Sequence, residues 1–271
     1  GRKNYASKRA PMVECKKLSH GQSVFYASHT QPFNWLDNRS FIELQRGLSD
    51  KTFTGKDIFS KYYSMKVKFK FPQQSFGIPE QYRLRLVHGW ITAPFALAKV
   101  PASPYQLDRD NVSYTELKQK MIQLVSNEFD DNLDDMEFRT KEKKLYKIEG
   151  KQWIRPDRRN QIGMVQTASI LINEAGEPPS AVQTHAGGPP DVLKQLTWKP
   201  MRKIRLTDTT GLTAEGTNGF SYPNEAWIPF AFVYAPNYNN IQFPNDDPTN
   251  VPDDRAKVLI TTSDCHWFTD S

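Results

Sequence analysis

Cysteine is nearly absent from this chain. Cys15 and Cys265 are the only two in 271 residues, which excludes a disulfide-stapled scaffold and any cysteine-rich zinc module. Histidine is also sparse. None of His20, His29, His88, His185 and His266 lies two or four positions from another, so there is no ready-made metal pair. No apolar run approaches the roughly 18 residues of a membrane-spanning helix. The most apolar stretch, WITAPFALAKV, is broken by Pro94 and Lys99. The chain opens GRKNYASKRAP, polar and basic, which is no signal peptide. Its first residue is Gly rather than Met, so further sequence upstream is expected.

Catalytic signatures are missing too. GLSDKTFTGKD places seven residues between Gly47 and Gly55, with Asp57 where a phosphate loop needs a hydroxyl. Neither G-x-G-x-x-G nor G-x-S-x-G occurs. A Ser-His-Asp triad assembles from distant positions, and nothing here points to one; His88 simply continues the strand-like YRLRLVH. The acidic run DDNLDDMEF (130–138) lacks the ordered oxygen spacing of a calcium loop and reads as a solvated loop. The sequons at Asn38 and Asn111 read as chance. No catalytic residue, cofactor or metal is expected, nor any membrane insertion.

What the chain does have is strands and positive charge. It holds 36 Lys and Arg against 30 Asp and Glu, a net +6, with pI about 9.1. That balance favours polyanionic partners, nucleic acid first. Nineteen prolines and 12% aromatics suit a loop-rich all-β protein. Strand-like runs recur at 12–17, 23–28, 40–45, 58–71, 82–91, 144–150, 163–172, 201–207, 226–235 and 256–262, most followed by Gly, Pro, Asn or Asp clusters. One helix interrupts them. Ser113 with Glu116 forms a capping box, and Leu117, Met121, Leu124 and Val125 then share one helical face. Two Pro-, Gly- and Asn-rich segments, 173–191 and 236–254, read as long loops. There is no internal repeat and no domain break.

The clearest strand is SMKVKFKFP. Met65, Val67, Phe69 and Phe71 alternate with Lys66, Lys68 and Lys70, so the apolar set should fill a core and the lysines should face away from it. Like charges spaced two apart on one strand face repel, and something must offset them. The pattern recurs: Arg83 and Arg85 oppose Tyr82, Leu84 and Leu86, and Lys203 and Arg205 oppose Ile204 and Leu206. One reading is a solvated face or rows of salt bridges. The sharper reading is a phosphate-binding surface, which needs charge and no precise spacing.

The order of these segments resembles the capsid proteins of small circular Rep-encoding single-stranded DNA viruses, the circovirus-like group. A basic N-terminus precedes a first strand, MVECKK. Then come LQRGLSDKTFTGKDIFSKYYSMKVKFKF, similar to that group's glycine turn and long basic-aliphatic strand, then YRLRLVHGWI, and a closing DCHWFTDS. The likeness is weakest over 93–160, where a helix-containing insertion is expected. It implies an all-β jelly-roll β-sandwich of two antiparallel sheets with long loops and one inserted helix. Residues 1–11 would be the end of a basic N-terminal arm, and 12–271 a single capsid domain. It implies a homo-oligomer, the simplest (T=1) icosahedral shell of about sixty copies, enclosing a single-stranded DNA genome. Location would be the virion, and the host nucleus during assembly. The basic arm, here Arg2, Lys3, Lys8 and Arg9, would bind nucleic acid together with Lys66, Lys68, Lys70, Lys203 and Arg205. A coat gene of this length alone needs 271 × 3 = 813 nucleotides, about 14 phosphates for each of about sixty subunits, against +6 per chain. More arm is therefore expected upstream. Aromatic residues such as Trp227, Tyr238 and Phe243 would be buried between subunits. In such a sandwich the first and last strands pair antiparallel, so Cys15 and Cys265 are expected within about 10 Å, unbridged in a reducing compartment. The competing readings are a monomeric β-sandwich module binding nucleic acid or glycan, and a cupin-type enzyme, which the histidine spacing disfavours.

Overall fold

The computed structural model describes residues 14–27, 33–45, 47–71, 74–75, 84–92, 96–98, 106–108, 113–125, 145–155, 161–163, 184–185, 191–207, 222–223, 227–234 and 258–270. Among these, the first half of the chain gives β1 (Lys16–Leu18), β2 (Ser23–Ala27), β3 (Phe33–Leu36), α1 (Arg39–Ile42), β4 (Asp57–Lys70), β5 (Gln74–Ser75), β6 (Leu84–Ile91), β7 (Ala96–Ala98), β8 (Gln106–Asp108) and α2 (Tyr114–Val125). The second half gives β9 (Tyr146–Ile154), β10 (Gln161–Gly163), β11 (Thr184–His185), β12 (Asp191–Trp198), β13 (Arg202–Thr207), β14 (Tyr222–Pro223), β15 (Ile228–Tyr234) and β16 (Val258–Asp270).

These strands form an all-β sandwich. One sheet has seven strands, with β16 and β4 at its centre; β1 and β2 share the far edge of β16, while β12 and β13 share the far edge of β4 and β14 follows β13. The other sheet runs β3-β15-β6-β9, and every ladder in the two sheets is antiparallel. The remaining short strands pair outside these sheets, β10 with β11 and β5, and β7 with β8. The pairing is nested: β2 with β16, β3 with β15, β4 with β12 and β6 with β9, so the chain doubles back on itself about its middle.

Alternation sets the core. Met65, Val67 and Phe69 are fully buried and Phe71 nearly so, while Lys66, Lys68 and Lys70 are exposed, as the period of two predicts. On β16 the inward set is Val258, Ile260, Thr262, Asp264, His266 and Phe268. Every residue of β15 is buried. Trp198 ties the two sheets together: its indole N–H donates to the Gly89 carbonyl at 2.9 Å, and its ring meets Tyr63 and, edge-on, His88.

The expected helix is α2. Ser113 Oγ accepts from the Glu116 N–H at 3.1 Å, and Leu117, Met121, Leu124 and Val125 are buried. It is anchored by Tyr114, whose hydroxyl reaches Asn38, and by Lys118, paired with Asp37 at 3.2 Å. Residues 146–154, within the stretch read as an insertion, are β9, a full member of the four-stranded sheet.

Three expectations change. Residues 40–45 begin as helix α1, because Asp264 accepts from both the Ser40 backbone N–H (3.0 Å) and its hydroxyl (2.7 Å), fixing a helical turn where apolar periodicity suggests a strand. The segment after 190, not read as a strand, is β12. Cys15 and Cys265 are free thiols about four ladder steps apart, roughly 13 Å at 3.3 Å per step. The first and last strands do pair antiparallel, but β16 runs on to Asp270, so β1 meets Phe268 to His266 and Cys15 falls beyond Cys265.

Polar groups enter the core in partnered sets. Asp264 also accepts from the Tyr63 hydroxyl at 2.7 Å, and His266 Nε2 lies 2.7 Å from Ser60 Oγ. Burial disfavours each charged form: the Asp264 carboxyl and the Tyr63 hydroxyl are pushed up, and His266 is pushed down to about 3.

Two predictions follow from this packing. His266 titrates near 6.5 when unfolded and near 3 when folded. Its contribution to stability is therefore complete above pH 6.5 and falls with acid toward pH 3, by at most about 1.4 kcal/mol per pH unit. Asp264 has the opposite sign, its raised value costing stability as pH rises from 3.8 upward. Urea unfolding at pH 7 and pH 4.5 should show a smaller loss in His266→Gln than in the native chain, since Asp264 is common to both. At the bulge between His88 and Gly89, a Cβ on Gly89 would collide with the Lys147 carbonyl. Gly89→Ala should cost about 2–3 kcal/mol, read as a lowered urea midpoint.

Candidate nucleic-acid interface

The residues facing away from the core on the seven-stranded sheet form rows fixed by register. Tyr26, Leu259, Lys70 and Asp191 make one row across β2, β16, β4 and β12. Val24, Thr261, Lys68 and Leu193 make the next, followed by Ser263, Lys66 and Gln195. Further along lie Trp267 and Tyr62 beside Lys17, then Phe59 with Lys203, then Asp57 with Arg205.

The sheet therefore brings Lys66, Lys68, Lys70, Lys203 and Arg205 onto one face, as β4 and its neighbour β13 require. Arg2, Lys3, Lys8 and Arg9 lie outside the described residues, as do Arg83, Tyr238 and Phe243. Arg85 is on the other sheet, its guanidinium 4.6 Å from the Trp153 ring centroid. Trp227 is half-buried against Trp90, with the Arg202 guanidinium 4.4 Å from its ring centroid.

Two carboxylates answer the repulsion among the cations. Asp191 stands opposite Lys70 and bonds Lys68 at 2.9 Å. Asp57 takes Lys203 at 2.9 Å and Arg205 at 3.7 Å, and the Lys203 hydrogen bond holds its carboxyl below the usual range. Neither acid nor Lys17 stands out in the sequence, because only the register of separate strands sets them beside these cations. Within the rows named, six cations stand against two carboxylates, a net of four positive charges.

The face also carries apolar and aromatic groups. Leu193 is 67% exposed, Val24 57% and Tyr26 52%. The rings of Tyr62 and Trp267 lie 5.0 Å apart, with the Lys17 ammonium 5.6 Å from the Trp267 ring. Cations interleaved with rings can hold both the phosphates and the bases of a single strand.

Other chemistry finds less footing. Among the described residues no group of three or more His, Cys, Asp and Glu could hold a metal ion. His20 does stand between the Ser40 hydroxyl, 3.0 Å from its Nδ1, and the Glu43 carboxylate, 3.5 Å from its Nε2, the order of a nucleophilic relay, but the Ser40 hydroxyl is fully buried and donates its proton to Asp264 at 2.7 Å, so it is not presented to a substrate. No helix among the described residues is long and apolar enough to cross a membrane. No family model matches the chain, and no curated protein matches it.

Asp57 is the strongest local brake on this face. Asp57→Asn removes the acid shared by Lys203 and Arg205, and the variant should elute later from heparin. Unchanged elution would mean that these two cations do not reach a polyanion.

Proposed function

We propose that this chain is a viral capsid protein, which self-assembles into a small icosahedral shell of about sixty copies and packages circular single-stranded DNA. The observation that carries the reading is the cation face of the seven-stranded sheet. Support also comes from the nested pairing of β2 with β16, β3 with β15, β4 with β12 and β6 with β9, which is the pairing order expected of a jelly roll, a fold of capsid domains. The order of basic and aromatic segments, which resembles that of circovirus-like coat proteins, agrees with it. In this reading the basic arm takes the larger share of the genome's charge, the sheet face takes phosphates along β4, and assembly occurs in the host nucleus. A monomeric nucleic-acid-binding sandwich would use the same face, and particle mass separates the two.

The decisive variant is Lys66→Gln, Lys68→Gln and Lys70→Gln together. It keeps the strand alternation and removes three charges. Particles of the variant should carry less nucleic acid, and oligonucleotide binding should lose about two units of salt slope, at about 0.7 per phosphate contact. Weakened, less salt-sensitive assembly with unchanged nucleic-acid content would instead place a neighbouring subunit's carboxylates on these lysines. A native chain that sediments as a ~31 kDa monomer at every salt and protein concentration would refute the capsid reading.

A further inference from the structure

A bulge breaks the central ladder of the larger sheet. Trp267 pairs with Tyr62 and Phe268 with Ser60, so Lys61 is an extra residue on β4. Ser60 and Tyr63, on either side, are buried and bond into the core. Lys61 and Tyr62 are both half-buried and are left together on the outer side. The Trp267 ring lies 5.0 Å from that of Tyr62, with the Lys17 ammonium 5.6 Å from the Trp267 ring centroid. The turn 199–201 passes beside the bulge, since Trp198 pairs with Tyr63 and Arg202 with Ser60. That turn adds exposed Lys199.

A cross-strand aromatic pair needs no ligand to explain it; the charges around this one do. Elsewhere on the face a carboxylate sits at the cations, Asp191 at Lys68 and Asp57 at Lys203 and Arg205. Among the described residues no acid pairs with Lys17, Lys61 or Lys66. The row between the rings and Lys66 is Cys265, Ser64 and Thr197, so no bulky side chain of that row screens the rings.

We propose that Tyr62 and Trp267 form a base-stacking subsite. An unpaired base of single-stranded nucleic acid lies on the rings, and its two flanking phosphates meet Lys17 and Lys61. The inference rests on the nucleic-acid reading above and deepens it, by fixing where on the face a base is held. An acidic peptide would satisfy the lysines and leave the rings unused. A duplex keeps its bases inside the stack. One nucleotide of a single strand offers an aromatic face with an anion on either side, which matches the order lysine, rings, lysine across β1, β16 and β4.

The test uses two probes of one length: oligothymidylate, and the same sugar-phosphate backbone with abasic residues. Both carry the phosphates and only the first carries bases. The native chain should bind oligothymidylate about tenfold more tightly at equal salt, the gain from one stacked base. Its tryptophan emission should fall with oligothymidylate and not with the abasic probe. Trp267→Leu should bind both probes alike and keep the native salt slope. Should that variant lose its thermal midpoint, Tyr62→Leu serves, with the same loss of preference expected. Lys17→Gln should weaken both probes equally and lower the salt slope by about 0.7. Equal native affinity for the two probes overturns the subsite and leaves the phosphate-binding face, and the capsid reading with it, intact. A preference that survives in both Trp267→Leu and Tyr62→Leu also overturns it, since the stacking then lies elsewhere. A native chain that binds neither probe overturns the nucleic-acid reading and this inference together. A preference lost in Trp267→Leu, in a chain that sediments only as a monomer, sustains the subsite and overturns the capsid reading.

Discussion

The pairing of β4 with β16 is the constraint on which the rest depends. These are the two longest strands, 14 and 13 residues, and they run antiparallel along nearly their whole length at the centre of the larger sheet. All four flanking strands take their register from this pair: β1 and β2 from β16, β12 and β13 from β4. Because side chains alternate with period two, one register decides both faces at once. It puts Met65, Val67 and Phe69 against Asp264, Thr262 and Ile260 inside, and Lys66, Lys68 and Lys70 against Ser263, Thr261 and Leu259 outside. A slip by one residue would bury three ammonium groups, which the interior does not tolerate unpaired. The lysines therefore help specify the register that displays them.

The same ladder explains how polar groups survive in the core. Asp264 and His266 share the inward face of β16, and neither pairs with the other. Asp264 takes three hydrogen bonds, from Ser40 twice and from Tyr63, while His266 lies against Phe41, Tyr63 and Phe268 with Ser60 at one nitrogen. The donors on Asp264 come from α1 and β4, so this carboxylate orients a short helix against the sheet. Four residues are too few for a helix to hold by propensity alone; the turn depends on the strand beneath it.

How much of this was legible in the sequence follows from whether the signal is local. The alternation of 64–72 reported both faces of β4, and the Ser113–Glu116 cap with its apolar spacing reported α2, because each pattern is complete within one segment. The strand at 40–45 was misread because what bends it into a helix is a carboxylate more than 200 residues away. β3 has four residues, too short for a pattern. β12 alternates weakly, because Leu193 points outward where an apolar residue suggests core. The five strand cations were readable as a set, but their sharing of one face was not, nor were Asp57, Asp191 and Lys17, which join them only through strand order. The cysteine separation failed by one fact of the same kind, the five residues by which β16 outruns Cys265.

The composition of the cation face bears on which polyanion suits it. A duplex presents phosphates and sugars outward and keeps its bases stacked inside, so charge alone would serve it. Here exposed Tyr26, Val24 and Leu193 flank Lys68 and Lys70 in the same two rows, and the Tyr62–Trp267 pair follows beyond Lys66. Such groups gain contact only where a partner offers apolar or aromatic surface of its own. A single strand would, since its bases are free to stack or lie flat while its phosphates followed the lysines, two residues or roughly 6.6 Å apart on β4. Asp191 then has a second consequence. It holds Lys68, the middle cation of the three, so a strand bound along β4 as proposed would meet Lys66 and Lys70 as the more available charges and would have to displace a carboxylate to engage the third. On the proposed reading that competition would weaken binding at the centre of the row and would favour a long polymer, which brings many phosphates at once, over mononucleotides or free phosphate.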